Sequence, residues 1–196
     1  MGLSLIICDS ETSNISHEIG DIIELALLDV NSGESKNWFL KPLNPDGIDL
    51  GALKVNGAKL EDLLWQTQAG KDKYKNPIET LPEIEDWILD HTCGSIYNRV
   101  LVGHNIQFDY NHMKTLWSRC EANETFPFSA YGQMIDTKQM TLLYDHMYPG
   151  VVNQKYNLAA CIKKFGIGKK FEYHGALQDT QATKMLFDEL VKKFKV

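Results

Sequence analysis

Leu3-Ser4-Leu5-Ile6-Ile7-Cys8-Asp9-Ser10-Glu11 decides how the rest of the chain is read. The run up to Cys8 is short and mostly apolar, the pattern of a buried β-strand. It ends at a carboxylate, and a second carboxylate follows two residues on. In extended backbone, residues i and i+2 project to the same side. Asp9 and Glu11 are therefore expected to aim two acidic groups at one point, as a hard divalent cation requires. An ordinary polar strand end has the same composition, so Asp-x-Glu alone does not separate the two readings.

Working outward, Ile22–Val30 reads as a second strand, Asn31-Ser32-Gly33 as a turn and Lys36–Leu40 as a third strand. Together with the first they form an antiparallel meander. Pro42, Pro45 and Gly47 break the pattern, and short helices are expected around Leu50–Val55 and Leu60–Trp65. Gln66–Pro77 is polar and charged and is expected to be an exposed loop. Pro82 suits the first turn of a helix running through Ile84, Trp87 and Ile88. Val100–Gly103 is another buried strand, followed by a helix from about Phe108 to Cys120. A strand at Gly132–Thr137 comes next, then helices near Lys138–His146, Asn157–Phe165 and Leu177–Phe194, the second closed by Gly166. Three strands followed by strands alternating with helices indicate an α/β fold, a mixed sheet with helices on its faces.

The 196 residues suit one domain spanning 1–196, and 43% hydrophobic residues suffice for a core without disulfides. Cys8, Cys93, Cys120 and Cys161 are scattered without a C-x-x-C pair, which favours plain thiols in a reducing compartment over a zinc site. No apolar run has the length of a membrane span, and the amino terminus lacks the basic region of a signal peptide. A cytoplasmic location without membrane partners is the expectation. The net charge of −6 excludes a protein that coats nucleic acid by charge alone. An enzyme gripping a few nucleotides at a strand end is still allowed, because carboxylates that hold divalent cations look acidic until the cations bind.

Two further stretches carry chemistry. In Gly103-His104-Asn105-Ile106-Gln107-Phe108-Asp109 the acid falls in the first turn of a helix, a place that carboxylates also occupy for capping alone. His104 and His112 are expected to pack or to hydrogen-bond. In His174-Gly175-Ala176-Leu177-Gln178-Asp179 the five-residue spacing puts His174 and Asp179 about 140° apart on a helix. They converge only if His174 lies in the loop before it. Four carboxylates and one histidine at strand ends and helix starts are the parts needed for two-metal phosphodiester hydrolysis, in which a histidine takes a proton from water.

At these positions the sequence resembles the DEDDh, or DnaQ-like, superfamily of 3′–5′ exonucleases, the group of the epsilon proofreading subunit of DNA polymerase III. Asp9-Ser10-Glu11-Thr12, His104–Asp109 and His174–Asp179 resemble its three motifs in order. Asp21–Ala26, Asp136-Thr137 and Asn157-Leu158 are weaker echoes. The resemblance implies an RNase H-like fold with a five-stranded mixed sheet flanked by helices. It implies that Asp9, Glu11 and Asp179 hold one divalent cation, Mg²⁺ or Mn²⁺, and that Asp9 bridges to a second that Asp109 contacts. His174 would act as general base, and a nucleoside 5′-monophosphate would leave the 3′ end.

Thr12, Asn105 and Phe108 are expected substrate contacts. Single-stranded DNA is the leading substrate, in proofreading or end trimming, with a polymerase or other replication protein as partner. An RNA-trimming enzyme similar to oligoribonuclease or RNase T is the alternative. An inactive module that binds 3′ ends is disfavoured because all five chemical groups are present. The sequence departs from the family pattern in two places. Thr12-Ser13-Asn14 stands where threonine and glycine are usual, so Asn14 is expected to take the left-handed backbone. Val55-Asn56-Gly57-Ala58 replaces a His-Gly-Ile element.

Overall fold

The computed structural model describes residues 2–129, 133–148, 155–167 and 175–195. Its strands are β1 (Ser4–Thr12), β2 (Ile22–Asp29), β3 (Ser35–Phe39), β4 (Arg99–Gly103) and β5 (Met134–Asp136). They form one sheet in the order β3-β2-β1-β4-β5. The short turn after Asp29 makes β2 and β3 antiparallel, and β2 is antiparallel to β1. β4 and β5 are reached through helices and pair parallel to their neighbours, as crossover connections require. This is the five-stranded mixed sheet flanked by helices that the sequence leads one to expect. Because β1, β4 and β5 run the same way, their carboxyl ends lie along one edge, where open α/β sheets bind ligands.

Period-two alternation along β1 assigns its two faces. Ile6 and Cys8, with Leu25, Leu27 and Leu101, pack against α4 (Pro77–Asp90) and α5 (Gln107–Arg119) through Ile84, Ile88, Met113 and Trp117. Leu5 and Ile7, with Leu28 and Val102, pack against Phe187 and Val191 of α8 (Ala176–Phe194). Each such aliphatic side chain, fully buried, contributes about 1.5–3 kcal/mol. Two smaller clusters complete the core. One joins α8 to α6 (Thr137–Met147) and α7 (Leu158–Phe165) around Cys161, Ile162 and Leu186. The other gathers Ile23, Leu53, Leu63 and Tyr74 under α1 (Leu50–Asn56), α2 (Leu60–Leu63) and α3 (Gln68–Lys73). No helix among the described residues is long and apolar enough to cross a membrane.

Three elements differ from the sequence reading. The Gln66–Pro77 stretch is not an open loop: it contains α3, capped by the Thr67 hydroxyl, which accepts from the Gly70 N–H at 2.9 Å. Tyr74 behind it is buried. The stretch is polar because most of α3 faces water, while Gly70, Tyr74 and Pro77 are buried in it. The helix containing Pro82 begins earlier, with Asn76 as cap and Pro77 in the first turn, which leaves Pro82 inside it. At Asn76-Pro77 the cap side chain accepts from the Ile78 N–H and the proline has no N–H to satisfy, which makes a favourable helix start. Finally, β1 continues to Thr12, because Asp9, Ser10 and Glu11 keep pairing with Ala26, Leu25 and Glu24.

Gly70 offers a test of the α3 packing. A Cβ added there would lie 2.2 Å from the Asp62 carbonyl oxygen, a backbone atom that cannot swing aside. Gly70→Ala is expected to destabilise the protein by about 1–3 kcal/mol, measured by urea denaturation followed by circular dichroism. An unchanged midpoint would show that α2 and α3 separate at no cost.

Candidate active site

Asp9 and Glu11 lie on the β1 face that packs against α8, and the first turn of α8 supplies Asp179. One carboxylate oxygen from each of the three residues falls within 4.8 Å of the other two. The strand period brings the first two together, and the packing of Phe187 against Ile7 holds α8 where the third can join them. α8 opens at Gly175, which has extended backbone and no side-chain cap. The N–H of Asp179 donates to the Gly175 carbonyl at 3.0 Å, so the acid sits where the helix begins.

Asp109 arrives from the opposite side. It lies buried in the first turn of α5, outside the group of three. Ser10, between the two strand acids, projects to the other face, and its hydroxyl donates to Asp109 Oδ1 at 2.7 Å. The residue that separates Asp9 from Glu11 in sequence thus fastens the fourth acid to the same strand. The i+2 argument that aligns the two acids also sends Ser10 to the opposite face, so its side could have been found from the sequence, though its partner is set by packing.

Electrostatics tie the group together. Burial and the negative charges of Asp109, Asp179, Glu11 and Glu24 push the Asp9 carboxyl well above its ordinary range. Glu11 is pushed up to about 7 by burial, then by Glu24, Asp179 and Asp109. Asp109 also rises to about 7 through burial, against the lowering effect of the Ser10 hydrogen bond. Glu24 is a fifth acid outside the set expected from the motifs. It stands directly across from Glu11 in the β1–β2 register, and the Asn37 side-chain amide donates to it at 2.8 Å. Among the described residues, no Lys or Arg forms an ion pair with Asp9, Glu11 or Asp109. An all-oxygen donor set with this much unbalanced charge fits hard divalent cations such as Mg²⁺ or Mn²⁺.

The remaining expected residues surround this centre. Thr12 is buried; its hydroxyl donates to the Asn14 carbonyl at 2.9 Å, and its own carbonyl accepts from Asn56 Nδ2 at 3.1 Å. Asn105 is exposed and has φ of 70°, and its N–H donates to Asp136 Oδ1 at 3.0 Å. Phe108 is half-buried, with its ring 4.3 Å from that of His112. His174 lies outside the described residues.

Asn14 does not take the left-handed backbone expected of it, since it is absent from the residues with positive φ. It braces the loop after β1 instead: its Nδ2 donates to the Gly47 carbonyl at 3.0 Å and its Oδ1 accepts from the Ser16 N–H at 3.0 Å. The side-chain amide does by hydrogen bonding what a glycine would do by conformation. In Val55–Ala58 it is Gly57 that turns the chain, while Asn56 ties α1 to the end of β1. His104 and His112 are both hydrogen-bonded, to Thr137 and the Tyr156 carbonyl, and to the Phe108 and Asn14 carbonyls. Burial lowers the pKa of each.

Comparison with known proteins agrees with this arrangement. The exonuclease family named for RNase T matches residues 6–187. PolC-type DNA polymerase III of Staphylococcus epidermidis is 28% identical over 190 residues, covering 97% of this chain and 11% of the polymerase. The Staphylococcus aureus protein of the same name is 27% identical over the same length. The chain thus spans about a tenth of the length of these relatives. Among solved structures, exonuclease I of E. coli in a complex with single-stranded DNA superimposes with a TM-score of 0.75 at 18% identity, covering 100% of this chain and 41% of that one. Cell-death related nuclease 4 gives 0.72 at 15% identity, covering 98% and 64%. At these identities the structural likeness establishes a shared fold. The family match, over more than nine-tenths of the length and across all three carboxylate-bearing motifs, establishes that the chain belongs to the RNase T family of DnaQ-like 3′–5′ exonucleases.

Proposed function

We propose that the protein hydrolyses single-stranded DNA from its 3′ end, releasing nucleoside 5′-monophosphates in proofreading or end trimming. The observation that supports this best is the meeting of Asp9, Glu11 and Asp179 from β1 and α8, with no Lys or Arg among the described residues paired to either strand acid. In this reading Asp9, Glu11 and Asp179 hold one divalent cation, and Asp9 and Asp109 hold a second. Bound there, Mg²⁺ or Mn²⁺ would activate water and neutralise charge on the phosphoryl group. Ser10 keeps Asp109 aimed at the centre. His174, two residues before the start of α8, accepts the proton of the attacking water on an imidazole nitrogen.

The Thr12 hydroxyl has its proton committed to Asn14, so towards a ligand it acts only as an acceptor. That suits a donor such as the terminal 3′-hydroxyl. Phe108 and Asn105 face the terminal sugar and base. DNA is favoured over RNA because the sequence relatives are DNA polymerases and a solved likeness holds single-stranded DNA. A polymerase or other replication protein is the corresponding partner, and four unpaired cysteines accord with a cytoplasmic setting.

Labelled strands test the reading. With Mg²⁺ or Mn²⁺, 5′-labelled single-stranded DNA is expected to shorten stepwise from its 3′ end, and chelator should stop it. No shortening would refute the proposal, and faster shortening of a matched RNA would make the protein an RNA-trimming enzyme. Asp9→Ala and Asp179→Ala are each expected to abolish cleavage while circular dichroism stays unchanged; activity surviving in either contradicts the cation assignment. His174→Ala should slow turnover by roughly 10²–10⁴.

The raised carboxylates also predict a pH effect on the cation-free protein. Glu11 titrates near 7 when folded and near 4.5 when unfolded, so the folded state binds more protons in between. Stability is therefore expected to fall as pH rises through that window and to level off above it. Glu11→Gln should flatten this dependence, raising the melting temperature at pH 8 by roughly 2–4 °C per kcal/mol of repulsion relieved. Calorimetry in chelator at pH 5 and pH 8 decides it; a slope identical in both proteins would remove Glu11 as its source.

A further inference from the structure

Next to the carboxylate centre, at the carboxyl ends of β4 and β5, lies an open cavity of about 420 Å³ lined by His104, Asn105, Lys138, Lys155, Tyr156 and Asn157. Its position follows from the topology. Gly103 and Asp136 end two parallel strands in register, and the chains leaving them form one wall. Tyr156 and Asn157, at the start of α7, form the other.

Both walls are built rather than loose. His104 Nε2 binds the Tyr156 carbonyl at 2.8 Å, the Tyr156 hydroxyl donates to Asp145 at 2.8 Å, and Asn157 caps α7 through the Ala160 N–H at 2.9 Å. On the near side, Asp136 Oδ1 accepts from the N–H of Asn105 and of Lys138. That pair of bonds holds Asn105 at its positive φ, a conformation that costs a non-glycine residue roughly 1–3 kcal/mol and that clusters at ligand sites.

The cavity is cationic in a protein of net charge −6. Among the described residues neither Lys138 nor Lys155 has an ion-pair partner. Among the described lysines Lys36, Lys164, Lys184 and Lys193 pair with acids; what distinguishes Lys138 and Lys155 from the other unpaired ones is that they line one cavity together. Two free ammonium groups, a side-chain amide and a rigid frame recognise a phosphodiester flanked by a polar sugar edge. Asn105 of the cavity wall stands four residues before Asp109, at the turn that opens α5, which puts the cavity beside the carboxylate centre.

Building on the exonuclease reading, we propose that this cavity binds a backbone phosphate of the strand upstream of the scissile bond, with Lys138 and Lys155 as its contacts. An enzyme acting at a 3′ end has one nucleotide on the leaving side and the whole polymer on the other. A cationic site beyond Asp109 therefore grips the polymer and supplies affinity for long substrates without entering the chemistry.

Two substrates separate the roles: a single-stranded DNA oligomer, and the p-nitrophenyl ester of thymidine 5′-monophosphate, which carries only the terminal nucleotide. The Lys138→Ala/Lys155→Ala variant is expected to lose about tenfold in kcat/KM on the oligomer, mostly in KM. The dependence of log KM on log salt should become shallower by about one per lysine. Turnover of the ester should stay within roughly twofold, and Lys138→Arg/Lys155→Arg should restore the oligomer. Equal loss on both substrates, or no loss on the oligomer, overturns the proposal. Wild-type protein inert on both would sink the exonuclease reading instead. Oligomer affinity by fluorescence anisotropy then decides the cavity's role: weaker, less salt-dependent binding in the alanine variant supports it, and unchanged binding overturns it.

Discussion

Holding the oxygens of Asp9, Glu11 and Asp179 within 4.8 Å of one another, half out of water and with Asp109 and Glu24 nearby, costs the fold energy for as long as the charges stand unbalanced. Like charges at such distances disfavour joint ionisation, and partial burial deepens the effect. A protein keeps such a cluster only if the remaining packing imposes it. Here the imposing elements are rigid ones. β1 is the central strand, hydrogen-bonded on both sides, and α8 is a long helix anchored by Phe187, Leu186 and Leu190. Acids mounted on such elements cannot swing apart to relieve their repulsion.

The supports of this centre have a common logic: short polar side chains around it hold neighbouring groups in place. Ser10, on the α5 face of β1, holds the Asp109 carboxylate. Asn14 braces the loop after β1 against Gly47, where that loop and its neighbour pass so closely that a Cβ on Gly47 would lie 1.9 Å from the Ile19 carbonyl oxygen. Asn56 closes α1 onto Thr12, and His112 joins α5 to Asn14. Repulsion at the centre is thus opposed by hydrogen bonds one layer out. This division of labour is expected where a site must hold its shape before its cations arrive.

Charge is distributed to match. The acids gather at the carboxyl end of β1, and two lysines with no ion-pair partner among the described residues line the cavity at the carboxyl ends of β4 and β5. An overall acidic surface would not be an obstacle to nucleic acid if divalent cations filled the carboxylates along one sheet edge beside these ammonium groups. Specific local charge, rather than net charge, governs which part of a polyanion can settle there.

Much of this was legible in the sequence. The short apolar run ending at Asp9 marked the strand, the i, i+2 rule gave Asp9 and Glu11 a shared side, and glycine and proline punctuation separated most of the helices. Order and spacing of three motifs pointed to the family, because catalytic residue types recur where strand ends meet helix starts. The α3 helix was hidden, since a short amphipathic turn that buries only Gly70 and Tyr74 leaves almost no periodic signal.

Other features belong to tertiary structure alone. Glu24 faces Glu11 only through the β1–β2 register, and the backbone of Asn14 is set by Gly47, thirty-three residues away. The approach of Asp179 to the strand acids depends on how α8 lies across the sheet. Local sequence determines conformation and chemical type, because those follow from neighbours a few residues apart. Which groups from distant segments share a point in space is decided by packing, and that is where this protein's chemistry is assembled.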